Sequence, residues 1–280
     1  MLKIFVLIMT ITITALKITS APASSATPAE KRPIGDLSDR RVLTFVFEDK
    51  DNFPFELGEG SALATPHPGI SIDILRMVGE KLNLQIDFRR SPWKRALEIE
   101  LQNGNIDGLF SASYVKEREA FGIYPLIGQT PDEGKRLYTS SYVFYQAKGN
   151  NISWDGNTLD FRETIYVPVG YSIADDLRKK GLKVAENNSP QQLMQQLALK
   201  RIKIAALLED SGDFVMSSRP DIGKSVEKLS PPIKTKAYYV LFSHQFYAKN
   251  EGLALRIWDT IENIRMKEQS NLSKKYLQSK

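Results

Sequence analysis

The chain has 280 residues, of which 42% are apolar, 10% aromatic and 25% charged, the proportions of a globular protein with ample material for a core. That length allows one large domain or two lobes of roughly 100 residues each. The formal charge is +5, with basic and acidic residues interleaved, which excludes a nucleic-acid-binding stripe; there is no cysteine, which excludes a disulfide framework and a lipid-modified cysteine anchor.

Residues 1–23 carry Lys3, an apolar run from Ile4 to Leu16, and the small residues Ser20, Ala21, Pro22 and Ala23. That succession predicts a cleaved secretory signal peptide. The apolar run is diluted by Thr10, Thr12 and Thr14 and is short for a membrane anchor. Losing Lys3 and Lys17 with it leaves a charge of +3. Residues 24–40 are rich in Ser, Ala, Pro and charge, the composition of a flexible tail.

A first strand is expected over 42–47, followed by an acidic turn and Phe53-Pro54-Phe55. Gly69 and Ser71 then introduce a helix with Ile74, Leu75, Val78 and Leu82 on one face, and 85–88 reads as the second strand. Ser91 and Pro92 are suited to open the next helix, where Trp93, Ala96, Leu97 and Leu101 recur at helical spacing until Gly104 stops it. A buried strand over 106–110 leads into Ser111-Ala112-Ser113-Tyr114, and Arg118 follows. This β-α-β-α-β alternation predicts an α/β unit with a mainly parallel sheet.

The run 137–147 is β-rich and aromatic. A second, smaller alternation follows: strand 164–169, helix 173–180, strand 184–185, a helix over 191–200 capped by Ser189-Pro190, strand 204–208, and a helix opened by Glu209-Asp210-Ser211. Residues 238–243 read as a returning strand, and Leu253, Leu255, Ile257, Trp258, Ile261 and Ile264 make the remainder strongly helical.

The stretch 91–125 resembles the bacterial periplasmic solute-binding proteins of family 3, the polar-amino-acid type. There a G-x-x-D, here Gly104 and Asp107, feeds a strand, a Ser/Thr-rich loop, here Ser111 and Ser113, and an E-R pair, here Glu117 and Arg118. The resemblance runs over about 41–280. It implies a type II periplasmic binding fold: α/β, two-lobed, each lobe a mainly parallel sheet flanked by helices, with two crossing strands as hinge. Lobe 1 would span 41–140, lobe 2 141–240, and 241–280 would return to lobe 1.

By the same resemblance Arg118 grips a ligand carboxylate, the turn Gly170-Tyr171-Ser172 supplies a second clamp, and Glu209 stands where relatives place an acid, usually Asp, to meet the ligand ammonium. A guanidinium fork on a carboxylate fits the first role, although Arg118 beside Glu117 and Glu119 is equally suited to a surface ion pair. Trp93 is suited to stack on a ligand or to pack in the core. Arg95 would add positive charge to the cleft, and Asn52 and Phe53 would form another wall. Glu209 would serve as well as an acid in a helix first turn, and Gly170 as a simple turn residue.

The function implied is capture of an amino acid or related carboxylate in the periplasm for an ABC-type transporter permease, or its presentation to a sensor domain, by a monomer. Neither cofactor nor metal is expected: His67 and His244 stand alone, and no nucleophile or phosphate-loop motif occurs. The alternative is a dehydratase on the same scaffold, with Glu209 as general acid.

Overall fold

The structure, a computed structural model, describes residues 40–58, 60–187 and 189–277. The expected signal peptide and all of the expected tail except Arg40 lie outside the described residues.

Strand β1 (Arg41–Glu48) has Leu43, Phe45, Val46 and Phe47 all buried. Its two faces feed two different cores, so the strand needs a continuous apolar run rather than an alternation. Helix α1 (Ile70–Leu82) leads to β2 (Leu84–Ser91), parallel to β1. Because β2 extends to Ser91, that residue does not cap the next helix: its hydroxyl donates to Glu100 at 2.8 Å. Helix α2 is a single turn, Trp93–Arg95, continued by a π-helix, Ala96–Leu101. Gly104, at φ 70°, then reverses the chain, a conformation that suits a residue without Cβ. Strand β3 (Gly108–Ser113) lies parallel to β1 and sits later in the chain than 106–110.

A ribbon of β4 (Leu126–Ile127) and β5 (Thr130–Pro131) precedes the long β6 (Tyr138–Ala147). The second alternation is β7 (Ile165–Val167), α3 (Ile173–Lys179), β8 (Val184–Glu186), α4 (Pro190–Ala198) and β9 (Ile204–Leu208). Ser189 and Gln192 form a reciprocal capping box at the start of α4. Helix α5 (Glu209–Ser218), helix α6 (Pro220–Ser225) and strand β10 (Val226–Lys228) complete this half. Strand β11 (Lys234–Phe242) returns, and α7 (His244–Leu277) ends the chain with a kink at Asn250.

Apart from β4 and β5, the strands form one nine-stranded sheet, ordered β2-β1-β3-β11-β6-β9-β7-β8, with β10 added to β6. Strands β1, β2 and β3 are mutually parallel, as are β7, β8 and β9. Between the two parallel sets, β6 and β11 pair antiparallel with each other over 138–142 and 234–238. Beyond that crossing β6 pairs with β9, and β11 with β3. One strand thus carries the chain out of the first half and the other brings it back.

Helix α7 closes over the first half. Ile257, Trp258, Ile261 and Ile264 are buried, and the Trp258 indole donates to the Val240 carbonyl at 2.9 Å. Near its end Tyr276 donates to Asp73 of α1 at 2.8 Å and accepts from the Gly69 N–H at 3.0 Å.

Candidate functional site

Where β6 and β11 cross, the carboxyl ends of β3, β7 and β9 face one another, the place where open α/β sheets hold ligands. A cavity of about 30 Å³ lies there, well below the ~300–1,000 Å³ common for small-molecule sites, so a ligand fits only if the surrounding groups draw apart. The first half contributes Asn52, Trp93, Ser111, Ser113 and Arg118. Tyr138, Tyr142 and Tyr238 of the crossing strands form the floor, and Gly170, Tyr171, Ser172 and Leu208 come from the second half.

Ser111 owes its direction to a bulge. Tyr239 faces Ala112 and Leu241 faces Leu109, so Val240 alone stands opposite Phe110 and Ser111. Ser111 takes φ 62°, unusual for a residue with a Cβ, and such bulges re-aim side chains beside sites. Its hydroxyl donates to the carboxyl of Glu56. Asn52 Nδ2 donates to the other Glu56 oxygen at 2.7 Å and to the Tyr138 hydroxyl at 3.1 Å. Burial drives the Glu56 carboxyl up to about 7.

Arg118 sits in a short 3₁₀ helix, Lys116–Ala120, and is only 8% exposed. It does not pair with its acidic neighbours: Glu119 binds Lys116 and Tyr114 instead. Its Nη1 donates to the Ser113 carbonyl at 2.9 Å, and its Nη2 donates across the cleft to the Gly170 carbonyl at 3.1 Å. The guanidinium also lies 5.2 Å from the Trp93 ring centroid. Ser113 and Ser172 hydroxyls meet across the cleft at 2.9 Å, and Lys236 Nζ donates to Ser172 at 2.7 Å. Lys236 is also ion-paired with Asp176; its desolvation nevertheless holds its pKa below the usual lysine range.

Further bonds join the halves. Tyr171 Oη donates to Glu48 at 2.7 Å, and burial raises the Glu48 carboxyl above its ordinary range. Ser211 donates to Asn52 Oδ1 at 3.0 Å. Gly170, at φ 77°, lies so close to Trp93 that a Cβ would come 2.8 Å from its Cδ1. The Gly170 N–H donates to Glu186 at 2.6 Å; its carbonyl, not its N–H, meets Arg118.

The structure therefore brings Arg118, Ser111, Ser113, Trp93, Asn52, Gly170, Tyr171 and Ser172 together around one space. Three other candidates stand apart. Arg95 is 67% exposed by its side chain and pairs with Glu100 at 3.0 Å. Phe53 stacks on Phe214 of α5, ring centroids 4.1 Å apart, so it joins the halves without lining the cavity. Glu209 accepts from Lys228 at 2.7 Å on the outer side of α5. Sequence reasoning missed the tyrosine floor and Glu56; the alternation in the aromatic run 137–147, which aims Tyr138 and Tyr142 to one face, is the signal for the floor.

Among the described residues no group of three or more His, Cys, Asp or Glu is placed to hold a metal, and no helix is long and apolar enough to cross a membrane. No family model matches the sequence, and no curated protein matches it. Solved structures are similar in fold. One is an ancestral arginine-binding protein bound to glutamine, 16% identical, with a TM-score of 0.65 over 85% of this chain and 98% of that one. A histidine kinase sensor domain with similarity to periplasmic binding proteins, 15% identical, gives 0.68 over 86% and 97%. A substrate-binding protein of an ABC uptake transporter from Streptococcus pneumoniae with bound histidine, 16% identical, gives 0.67 over 84% and 92%. These likenesses establish the fold as that of the two-lobed periplasmic binding proteins.

Proposed function

We propose that this chain is an exported solute-binding protein that captures a small carboxylate-bearing ligand, an amino acid or related acid, between its lobes and delivers it to an ABC-type permease. The observation that carries the reading is Arg118: a buried guanidinium at the meeting of both halves, bonded there to carbonyl oxygens rather than to a carboxylate. A ligand acid group would displace the Gly170 carbonyl and take a forked pair of charge-assisted bonds. Amino acids bound by proteins of the same fold support the ligand class. The sensor domain of that fold supports a second use, presenting the bound solute to a signalling partner, by the same cleft chemistry. Binding is favoured over turnover because Glu209, the acid a dehydratase would require, is held outside the cavity by Lys228.

The test begins with mass spectrometry of the small molecule released from purified protein by denaturation. Calorimetry with that molecule on Arg118→Ala and Arg118→Lys follows. Removing one partner of a buried charge pair costs about 3–5 kcal/mol, and lysine keeps the charge without the fork. Both variants should lose most affinity while unfolding near the wild-type temperature without ligand. Full affinity in Arg118→Ala would defeat the carboxylate clamp.

A further inference from the structure

The cavity wall combines one cation with hydroxyls that can donate or accept and with the Gly170 carbonyl, an acceptor. Among the described residues that line it, Arg118 is the one charged side chain, and no carboxylate is among them. One buried donor in its wall, the Trp93 indole N–H, makes no hydrogen bond. The Tyr238 hydroxyl lies against that of Tyr142. Buried polar groups are nearly always satisfied, so each exception asks for a partner.

Five acids around it are already engaged, while Asp49, next to Glu48, keeps one buried oxygen without a hydrogen bond. Glu209 is held by Lys228. Glu48 accepts from Tyr171 and Lys50, and Glu56 from Ser111 and Asn52. Asp176 is paired with Lys236 and Lys234, and Glu186 holds Arg178 and the Gly170 N–H.

Aromatic rings offer cations a second kind of seat, and several faces here are taken. Arg118 lies over Trp93, and Lys236 lies over Tyr142 at 5.7 Å. Tyr138 is stacked between Phe55, at 3.5 Å, and Tyr238, at 4.8 Å. An ammonium entering this space would shed its water and meet no carboxylate among the described residues that line it.

We infer that the ligand is a small organic anion rich in oxygen acceptors and free of a cationic amine, such as an oxo or hydroxy acid or a dicarboxylate, read by Arg118 and the Trp93 N–H. The inference rests on the solute-binding reading and narrows it: the amine that α-amino acids carry becomes a liability here. An acceptor on Trp93 satisfies a donor that is otherwise buried and unpaired, and an ammonium finds no charged partner in the lining, which is the source of the discrimination.

Matched pairs test it on the whole secreted chain: alanine against pyruvate, aspartate against oxaloacetate, phenylalanine against phenylpyruvate, with glycine betaine as a quaternary-amine arm. Thermal shift and calorimetry at neutral pH read each, and native mass spectrometry reads any solute that co-purifies. The expected result is at least one oxo acid bound tenfold or more tighter than its amino partner, or a co-purified anion without an amine. Trp93→Phe, which keeps the ring and removes the donor, should weaken that anion at least fivefold and leave the ligand-free unfolding temperature in place. An amino acid or betaine bound as tightly as its oxo partner, or a co-purified amine, overturns the ligand class and leaves solute binding standing. No bound solute and no binding by any probe overturns the solute-binding reading itself.

Discussion

Glu56, bonded to Ser111 and Asn52 behind the cavity wall, is a carboxyl on which pH acts directly. Desolvation lifts it from 4.5 to about 7 against the bonds from Ser111 and Asn52. A carboxyl that holds its proton more tightly when folded adds stability that is fully present below about 4.5 and is lost as pH rises through about 7. The full swing is about 3 kcal/mol. Glu56→Gln is neutral at every pH, so urea unfolding between about pH 5 and about pH 8 should show the wild type losing stability relative to the variant. Parallel curves would mean that Glu56 is ionised throughout. Glu48 is displaced in the same direction and remains in both proteins. Glu209 belongs to a different network, with Lys228 and the carbonyl–tyrosine contact to Tyr145. Glu209→Gln should therefore leave the calorimetric affinity for the co-purified ligand within about twofold, as a half-exposed surface pair contributes about 0–1 kcal/mol.

At the scale of elements, the turn between β7 and α3 has the tightest fit. Gly170→Ala adds a Cβ that meets Trp93 of α2 across the cleft, at a φ that L residues avoid. Left-handed strain of about 1–2 kcal/mol stays with the turn, but the contact with Trp93 falls on the closed arrangement, so the variant should bind at least several-fold more weakly while each half still folds. Unchanged affinity would show that the turn can draw back from α2. The order of strands and helices was legible in the sequence because apolar runs, glycine stops and the Ser189 cap act locally. Helix α4 shows this: its cap is complete within four residues. What failed was decided at a distance. Ser91 looks like a cap, but pairing with Glu48 draws it into β2. Arg95 lies on the exposed side of α2, where Glu100 one turn on holds it. Glu209 turns outward because β10, too short to read from three residues, brings Lys228 beside it. The cluster around Arg118 was legible through a family pattern; the tyrosine floor was not, since it needs the crossing of β6 with β11.

For the molecule as a whole, the two halves are closed on each other by the site's own groups: Arg118 to Gly170, Ser113 to Ser172, Tyr171 to Glu48, Ser211 to Asn52. Among the described residues only β6 and β11 carry the sheet from one half to the other, which is where a hinge would lie. A ligand must replace these bonds, and its affinity then depends on how easily the halves stay together around it. The Phe53–Phe214 stack bears on that balance alone, because it bridges the halves outside the cavity. Such a pair contributes about 0.5–1.5 kcal/mol beyond its buried area. Phe53→Ala should therefore shift the ligand-free protein toward the open form, seen as a larger radius of gyration in small-angle scattering. Saturating ligand should restore the wild-type value, with the apparent Kd raised about two- to tenfold by the lower closed population. If Phe53→Ala scatters like the wild type and binds as tightly, the stack follows closure without stabilising it, and the hydrogen bonds around Arg118 and Asn52 hold the halves together by themselves.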